Sequence, residues 1–172
     1  LKWKRFKSEK KQVQQKLIID TDPGIDDAMA IHYAFAHPGL EVLGLTTIFG
    51  NVFVPQATRN ALLLSEQAHY CVDVAEGAAK PLVQSLNPPS HHVHGAEGFG
   101  DVPVKQPYGM QLEISAADYI VKKCRQHSGE VILCPVGPLT NIAAALKADP
   151  ELVNHVQKVV IMGGAVWSPG NV

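Results

Sequence analysis

Blocks of apolar and polar residues along the chain predict strands and helices in turn. Short apolar segments typical of buried strands are LIID, EVLGLTTIF, CVDVAEG, EVILCPV and KVVIMGG. Helical spacing of apolar residues occurs in DDAMAIHYAFAH, PQATRNALLLSEQA, LEISAADYIVKKCRQH and PLTNIAAALKAD. One segment is too rich in Pro, Gly and His for regular structure and predicts a long functional loop, KPLVQSLNPPSHHVHGAEGFGDVPVKQPYG.

Strands that alternate with helices and read as unbroken apolar runs indicate an α/β protein with a mostly parallel central sheet flanked by helices on both faces. Ligands bind such sheets beyond the carboxyl ends of the strands. Polar or glycine-rich positions follow four of the predicted strands: an acidic cluster, Asn51, Val136-Gly137 and Gly163-Gly164. We expect these four segments to share one rim of the sheet.

Composition points to a small-molecule partner. The 172 residues are 46% hydrophobic and 18% charged, which suits a single globular domain. Fifteen basic residues stand against 16 acidic ones, so no overall field favours nucleic acid or an anionic membrane. The three cysteines are scattered, odd in number and without C-x-x-C spacing, which favours a reducing compartment. The sequence also shows no secretory signal and no apolar span, so we predict a cytoplasmic protein.

Both ends of the chain are unusual. Residues 1–15 carry six basic side chains against the single acid Glu9, and we expect a disordered tail or a remnant of expression. The segment IMGGAVWSPGNV ends after a predicted strand and loop without a stop signal of its own. We therefore expect the natural chain to continue past Val172.

Four carboxylates lie within eight residues directly after the first predicted strand. Asp20, Asp22, Asp26 and Asp27 must repel one another wherever water is partly excluded, so either they take up protons or a cation lies among them. The turn at Pro23-Gly24 can return Asp27 towards Asp22, and the pair could then grip a hard cation such as calcium or magnesium. The simpler interpretation is that one of these residues caps the helix and another satisfies backbone donors.

A series of motifs gives the chain a family resemblance. DTDPGIDDA, TTIFGN, TRNA, HVHG, GPLTNIA and VVIMGG occur in this order and resemble the inosine-uridine-preferring nucleoside hydrolase family from Lys16 to Val172. The resemblance implies a Rossmann-like nucleoside hydrolase fold, with residues 16–172 as the N-terminal part of a single catalytic domain. It also implies hydrolysis of the N-glycosidic bond of ribonucleosides to ribose and free base by a calcium-bound water.

Residue by residue, the resemblance implies a metal site and a base. Asp22, Asp27 and the backbone carbonyl of Val136 would be calcium ligands, Asp22 would also take the proton of the attacking water, and Asn51 would support this network. A further calcium ligand and the acid that protonates the leaving base would lie beyond Asn171.

The resemblance also implies a substrate site. Asp26 would bind ribose hydroxyls, Met162 and Asn171 would line the ribose site, and His94 would lie beside the base. His91, His92 and His94 are not expected to bind a transition metal, because no Cys or Asp lies near them. Asn141 could contact substrate or hold backbone groups at the start of its helix. The family suggests a homodimer or homotetramer.

Two other functions are compatible with an acidic turn. A haloacid-dehalogenase-like magnesium-dependent phosphatase would use Asp20 as nucleophile and Asp22 as acid, but Pro23-Gly24 replaces the expected Gly-Thr, and Asp26-Asp27 would have no use. A metal-stabilised binding module could hold a ribosylated ligand without cleaving it.

Overall fold

The computed structural model of the protein describes residues 14–169. In that part the elements are, in chain order, β1 (Gln15–Thr21), α1 (Ile25–Ala36), β2 (Leu40–Thr47), α2 (Val54–Gln67), β3 (Asp73–Glu76), α3 (His91–His94), α4 (Ala116–Gln126), β4 (Val131–Pro135), α5 (Thr140–Ala148), a 3₁₀ helix (Pro150–Asn154) and β5 (Val156–Val159). The basic tail predicted over residues 1–15 falls outside this description up to residue 13, and Gln15 already begins β1.

The five strands form one parallel sheet in the order β3-β2-β1-β4-β5. This arrangement confirms the predicted fold class. Because β1 is central and the chain winds outward from it in both directions, the strand order reverses between β1 and β4. Ligand sites of such sheets lie at this switch point, beyond the carboxyl ends of the strands.

The alternation of side chains along β1 divides the core between the two faces of the sheet. Leu17 and Ile19 pack with residues of α1 and α2, whereas Ile18 packs with residues of α4 and α5. Both clusters contain fully buried aliphatic side chains, such as Ile31 and Ile120. Burial on both faces is why the strands read as unbroken apolar runs.

Three elements differ from the sequence-based prediction, namely α3, α4 and β5. The long loop contains a short helix, α3, within the HHVH stretch. Helix α4 begins at Ala116 and not at Leu112, because the Ser115 hydroxyl caps it by accepting the Asp118 amide at 3.1 Å.

The last strand is the largest difference. It was predicted as KVVIMGG but spans Val156–Val159, at the edge of the sheet. The chain continues beside β4 through bonds from the Val160 amide to Leu133 and from the Met162 amide to Pro135. The strand nevertheless ends at Val159, and residues 159–162 are 44–63% exposed.

No helix in residues 14–169 is both long and apolar enough to cross a bilayer.

A bulge in β2 is held by a tyrosine from α4. Leu17 pairs with Val42 and Ile18 with Gly44, so Leu43 is the extra residue. The Tyr119 hydroxyl donates to the Leu43 carbonyl at 2.6 Å, and a Cβ at Gly44 would overlap this hydroxyl. Glycine is therefore needed at position 44 for the close approach of a buried ring.

Replacing Gly44 by alanine should destabilise the fold by roughly 1–3 kcal/mol, because the added methyl group overpacks the site that Tyr119 fills. Urea unfolding monitored by circular dichroism would measure the loss. Gly109→Ala is the matched control, since its Cβ would meet nothing closer than 3.5 Å. Equal unfolding midpoints for the two variants would contradict this account.

Candidate active site

The carboxyl ends of β1, β2 and β4 bring three of the four predicted rim segments together. A Cβ at Gly50 would overlap the Asp22 carboxylate, and one at Gly137 would lie 2.7 Å from Asp22 Oδ1. The acidic turn, the Gly50-Asn51 segment and the Val136-Gly137 segment therefore meet at Asp22. The fourth segment, Gly163-Gly164, follows Met162, whose amide donates to the Pro135 carbonyl at 3.0 Å. Its glycines do not approach Asp22: a Cβ at Gly163 would meet only Ile161, and one at Gly164 would meet nothing within 4 Å.

Asn51 joins the two carboxylates predicted to bind metal. Its backbone amide donates to Asp22 Oδ2 at 2.6 Å, and its side-chain Nδ2 donates to Asp27 Oδ2 at 3.0 Å. Both carboxylates thus converge on one residue that follows β2, as the turn at Pro23-Gly24 had suggested.

Asp27 has two roles in the local structure. Its Oδ2 also accepts the Gly24 amide at 3.1 Å, which caps the first turn of α1, and its Oδ1 accepts the Thr21 hydroxyl at 2.8 Å. The capping interpretation is therefore right for Asp27, but it does not exclude a place in the site, because the same carboxylate bonds to Asn51.

Burial dominates the electrostatics of the pair. Burial, and after it the nearby charge of Asp27, raise the pKa of Asp22 to about 8. Burial likewise raises the pKa of Asp27, against hydrogen bonds from Thr21, Gly24 and Asn51 that lower it. Among residues 14–169, no positively charged side chain lowers the pKa of either carboxylate.

Asp20 lies beneath the site and is 1% exposed. Its Oδ1 accepts the Thr46 hydroxyl at 2.6 Å and the Asn141 amide at 2.7 Å, while Oδ2 has no partner among the described residues. Burial raises the pKa of Asp20 to about 6. Such enclosure argues against Asp20 as a nucleophile, so the phosphatase interpretation finds no support here.

Asn141 ties three segments together at the base of the site. Its Nδ2 donates to Asp20 and to the Thr47 carbonyl at 2.9 Å, and its Oδ1 accepts the Ala78 amide at 2.9 Å. A Cβ at Gly77 would overlap the Asn141 amide. Of the two roles considered for Asn141, holding backbone groups is the one these bonds perform.

His94 and Asp26 lie together at the entrance to α1. His94 is 8% exposed, and its Nδ1 accepts the Ile25 amide at 3.2 Å, so the neutral ring carries its proton on Nε2. The Asp26 carboxylate is 3.9 Å from Nδ1. This approach is not an ion pair while Nδ1 accepts a hydrogen bond. Asp26 itself is exposed and free to meet a ligand.

Three other predicted site residues have different surroundings. Val136 is half-buried, its amide donates to the Asp20 carbonyl at 2.8 Å, and no described backbone amide bonds to its own carbonyl. Met162 is 63% exposed and follows β5. Asn171 lies outside the described residues.

The donor set suits a hard cation. Within residues 14–169 no group of three or more His, Cys, Asp or Glu side chains is arranged to hold a metal. The predicted set contains only two such side chains, Asp22 and Asp27, with the Val136 carbonyl as third donor. Oxygen donors on a desolvated pair of carboxylates match the preferences of calcium or magnesium, so the residues fit the implied ion.

Sequence reasoning missed several residues that build the site. Thr21 and Thr46 bond to the carboxylates, Gly50 allows the approach to Asp22, and Asn60 contacts the acidic turn from α2. Each lies inside or beside a quoted motif, which was the available signal. Their roles depend on contacts between distant segments, and spacing along the chain does not reveal these.

Comparisons with known proteins agree with the geometry. The family model described as inosine-uridine preferring nucleoside hydrolase matches residues 17–172. Uridine nucleosidase 1 of Arabidopsis thaliana is 52% identical over 159 residues, which cover 92% of this chain and 47% of that protein.

Two solved structures are also similar. A plant nucleoside hydrolase is 44% identical with a TM-score of 0.84, covering 88% of this chain and 48% of the other. A purine-preferring ribonucleoside hydrolase from Gardnerella vaginalis is 37% identical, also with a TM-score of 0.84, covering 88% and 49%. The chain thus spans about half the length of the relatives it matches.

The raised pKa of Asp22 predicts that stability falls as pH rises in buffer free of divalent ions. Between the ordinary pKa of an aspartate, 3.8, and about 8, the folded state keeps a proton that the unfolded chain has released. The free energy of unfolding should therefore decrease from about pH 4 to about pH 8. Asp22→Asn should flatten this slope in urea unfolding at pH 5, 6.5 and 8, whereas exposed Asp101→Asn should not. The same slope in wild type and Asp22→Asn would contradict the prediction.

Proposed function

Since this chain belongs to the inosine-uridine preferring nucleoside hydrolase family, we propose that the full-length protein hydrolyses the N-glycosidic bond of ribonucleosides to ribose and free base. The observation that carries the proposal is the convergence of the Asp22 and Asp27 carboxylates on Asn51, at the carboxyl ends of β1 and β2. The proposal concerns the full-length protein because the relatives are about twice as long as this chain.

The metal in this proposal is calcium, held by Asp22, Asp27 and the Val136 carbonyl. Support comes from the oxygen-only donor set and from the pKa of each carboxylate, which burial raises with no positive side chain of the described part to lower it. When bound, calcium lowers the pKa of a coordinated water and fixes its position. The last ligand would come from sequence beyond this chain.

Asp22 is the proposed general base. The Asn51 amide donates to its Oδ2, and the backbone at Gly50 and Gly137 lies close to the same carboxylate. Its orientation is therefore fixed by two backbone segments, one after β2 and one after β4. Its desolvation increases its affinity for the proton of an attacking water, relative to an exposed carboxylate. In this scheme Asn51 fixes the positions of the Asp22 and Asp27 carboxylates relative to each other.

Asp26 and His94 are the proposed substrate contacts of the described part. Loss of the base builds positive charge on ribose, which a nearby carboxylate stabilises. Asp26 is exposed at the start of α1 and can accept bonds from ribose hydroxyls, which would favour ribonucleosides over deoxyribonucleosides. His94 offers its Nε2 proton, because Ile25 occupies Nδ1. Met162 and Asn171 complete the proposed ribose site on family resemblance alone.

The biological setting is also a proposal. A ribonucleoside is the expected partner, and neither nucleic acid nor a membrane is expected, since the formal net charge is -1. Free cysteines, one of them exposed Cys71, support a cytoplasmic location. A homodimer or homotetramer is inferred by analogy with the family. The binding-module alternative finds no support in the comparisons.

A chelation-controlled assay tests the reaction. The full-length natural protein would be stripped of metal, resupplied with calcium and given uridine, inosine, cytidine, adenosine and their 2′-deoxy forms. We expect ribose release that depends on calcium and is strongest for ribonucleosides. Uridine is the first substrate to test, because the relative in Arabidopsis thaliana is named uridine nucleosidase 1. Absence of ribose release from every nucleoside, with calcium present, would refute the proposal.

Replacing Asp22 by alanine should lower kcat by about 10³-fold or more, because the base and one metal ligand are lost together. The fold should survive, since the change relieves repulsion with Asp27, and circular dichroism would check this. Asp101→Ala is the control on an exposed aspartate. A folded Asp22→Ala protein with a near-normal rate would rule out this role.

A further inference from the structure

Polar side chains of α2 hold the segment that carries His94. This segment, residues 91–101, includes α3 and the loop after it, and we call it the His94 segment. Gln56 Nε2 donates to the Ala96 carbonyl at 3.1 Å, and Arg59 Nη1 contacts Glu97 Oε2 at 2.6 Å. The third α2 residue is Asn60, in the TRNA motif, which contacts both this segment and the acidic turn.

Asn60 is completely buried and uses both ends of its amide. Its Nδ2 donates to the Glu97 carbonyl at 2.9 Å and to the Pro23 carbonyl at 3.1 Å. Its Oδ1 accepts Arg59 Nε at 3.2 Å and Arg59 Nη2 at 3.0 Å. Two donors and two acceptor positions are therefore occupied, which is the full capacity of an amide side chain. One side chain joins the His94 segment to the acidic turn.

The fit around Asn60 is close. A Cβ at Gly98 would lie 2.7 Å from Asn60 Nδ2 and 2.9 Å from the Pro23 carbonyl oxygen. Gly98 also has a φ of +91°, a conformation that other residues adopt only with strain. The chain at Gly98 is thus shaped to lie directly against Asn60.

The two carbonyls that Asn60 binds flank the contact between His94 and α1. Pro23 directly precedes Gly24 and Ile25, and the Ile25 amide donates to His94 Nδ1. A Cβ at Gly24 would lie 2.6 Å from the same nitrogen. Glu97 is three residues after His94, inside a loop that the Gly100 amide closes by donating to the His94 carbonyl at 2.8 Å. Movement at Asn60 would therefore change the separation of the imidazole from the start of α1.

We propose that Asn60 is a positioning residue that sets the placement of the His94 imidazole against the acidic turn, and with it the spacing between the base and ribose contacts of the substrate. The inference rests on the proposed function for its catalytic consequence and on hydrogen bonds alone for its structural part. Asn60 acts only through Pro23 and Glu97 and touches no reacting atom. Its loss should weaken substrate binding more than the chemical step.

The test uses the full-length protein with Asn60→Asp. This change keeps the size and the acceptors for Arg59 but removes the Nδ2 donor and places a carboxylate oxygen against two carbonyls. Hydrogen exchange of the Ile25 amide should accelerate about tenfold or more, because its acceptor His94 is no longer held, while β4 amides should change little. KM for ribonucleosides should rise about tenfold, with kcat changed less.

Gly98→Ala gives a second disturbance of the same contact, in case Asn60→Asp does not fold. It should produce the same changes in Ile25 exchange and KM. Two matched controls separate these effects from general destabilisation. Asn154→Asp makes the same chemical change at an exposed site, and Gly129→Ala imposes similar strain at a φ of +74° with nothing within 4 Å.

The outcomes separate this inference from the proposed function. If wild type releases ribose from no nucleoside, the proposed function fails, while Ile25 exchange still decides whether Asn60 holds His94. Unchanged Ile25 exchange in folded Asn60→Asp or Gly98→Ala protein overturns the inference. So does faster exchange with an unchanged KM, and so does an equal KM change in Gly129→Ala.

Discussion

Burial of two like-charged carboxylates beside each other is the constraint on which this structure depends. Asp22 and Asp27 lose hydration and repel one another, so the pKa of each rises unless donors or a cation compensate. The donors come from Thr21, Gly24 and Asn51, which lie in β1, the acidic turn and the segment after β2. Because the Asn51 donors come from the segment after β2, the two carboxylates have all these hydrogen bonds only when β1 and β2 are paired.

Three asparagines connect the acidic turn to the rest of the fold. Asn51 joins the two carboxylates, Asn141 joins Asp20 to the segments after β2 and β3, and Asn60 joins the turn to the His94 segment. An amide side chain donates and accepts at once without adding charge, so it can bridge carboxylates and carbonyls in a region that is already too negative. Asn51 and Asn141 contact these carboxylates in this way without adding charge.

The strand order gives this cluster its place. Winding outward from β1 in both directions puts the acidic turn and the Val136-Gly137 segment on neighbouring strands at the switch point. A cation and a sugar could meet there without passing through the core. The glycines at 50 and 137 let backbone approach Asp22 where any side chain would collide. The strand order therefore determines where the site lies, and the two similar solved structures share this architecture.

The sequence by itself determined the α/β class, the order of elements and the position of the acidic turn, because apolar periodicity and a run of carboxylates are local signals. The turn at Pro23-Gly24 predicted that Asp27 approaches Asp22, and the rule that strand ends share a rim predicted that Asn51 lies beside them. Only the tertiary structure decided that β5 ends at Val159, that Asp20 is buried, and that Asn60 donates to the carbonyls of both Pro23 and Glu97. The last two outcomes depend on contacts between residues 37 and 121 positions apart, Asn60 with Glu97 and Asp20 with Asn141, and spacing along the chain does not reveal such contacts.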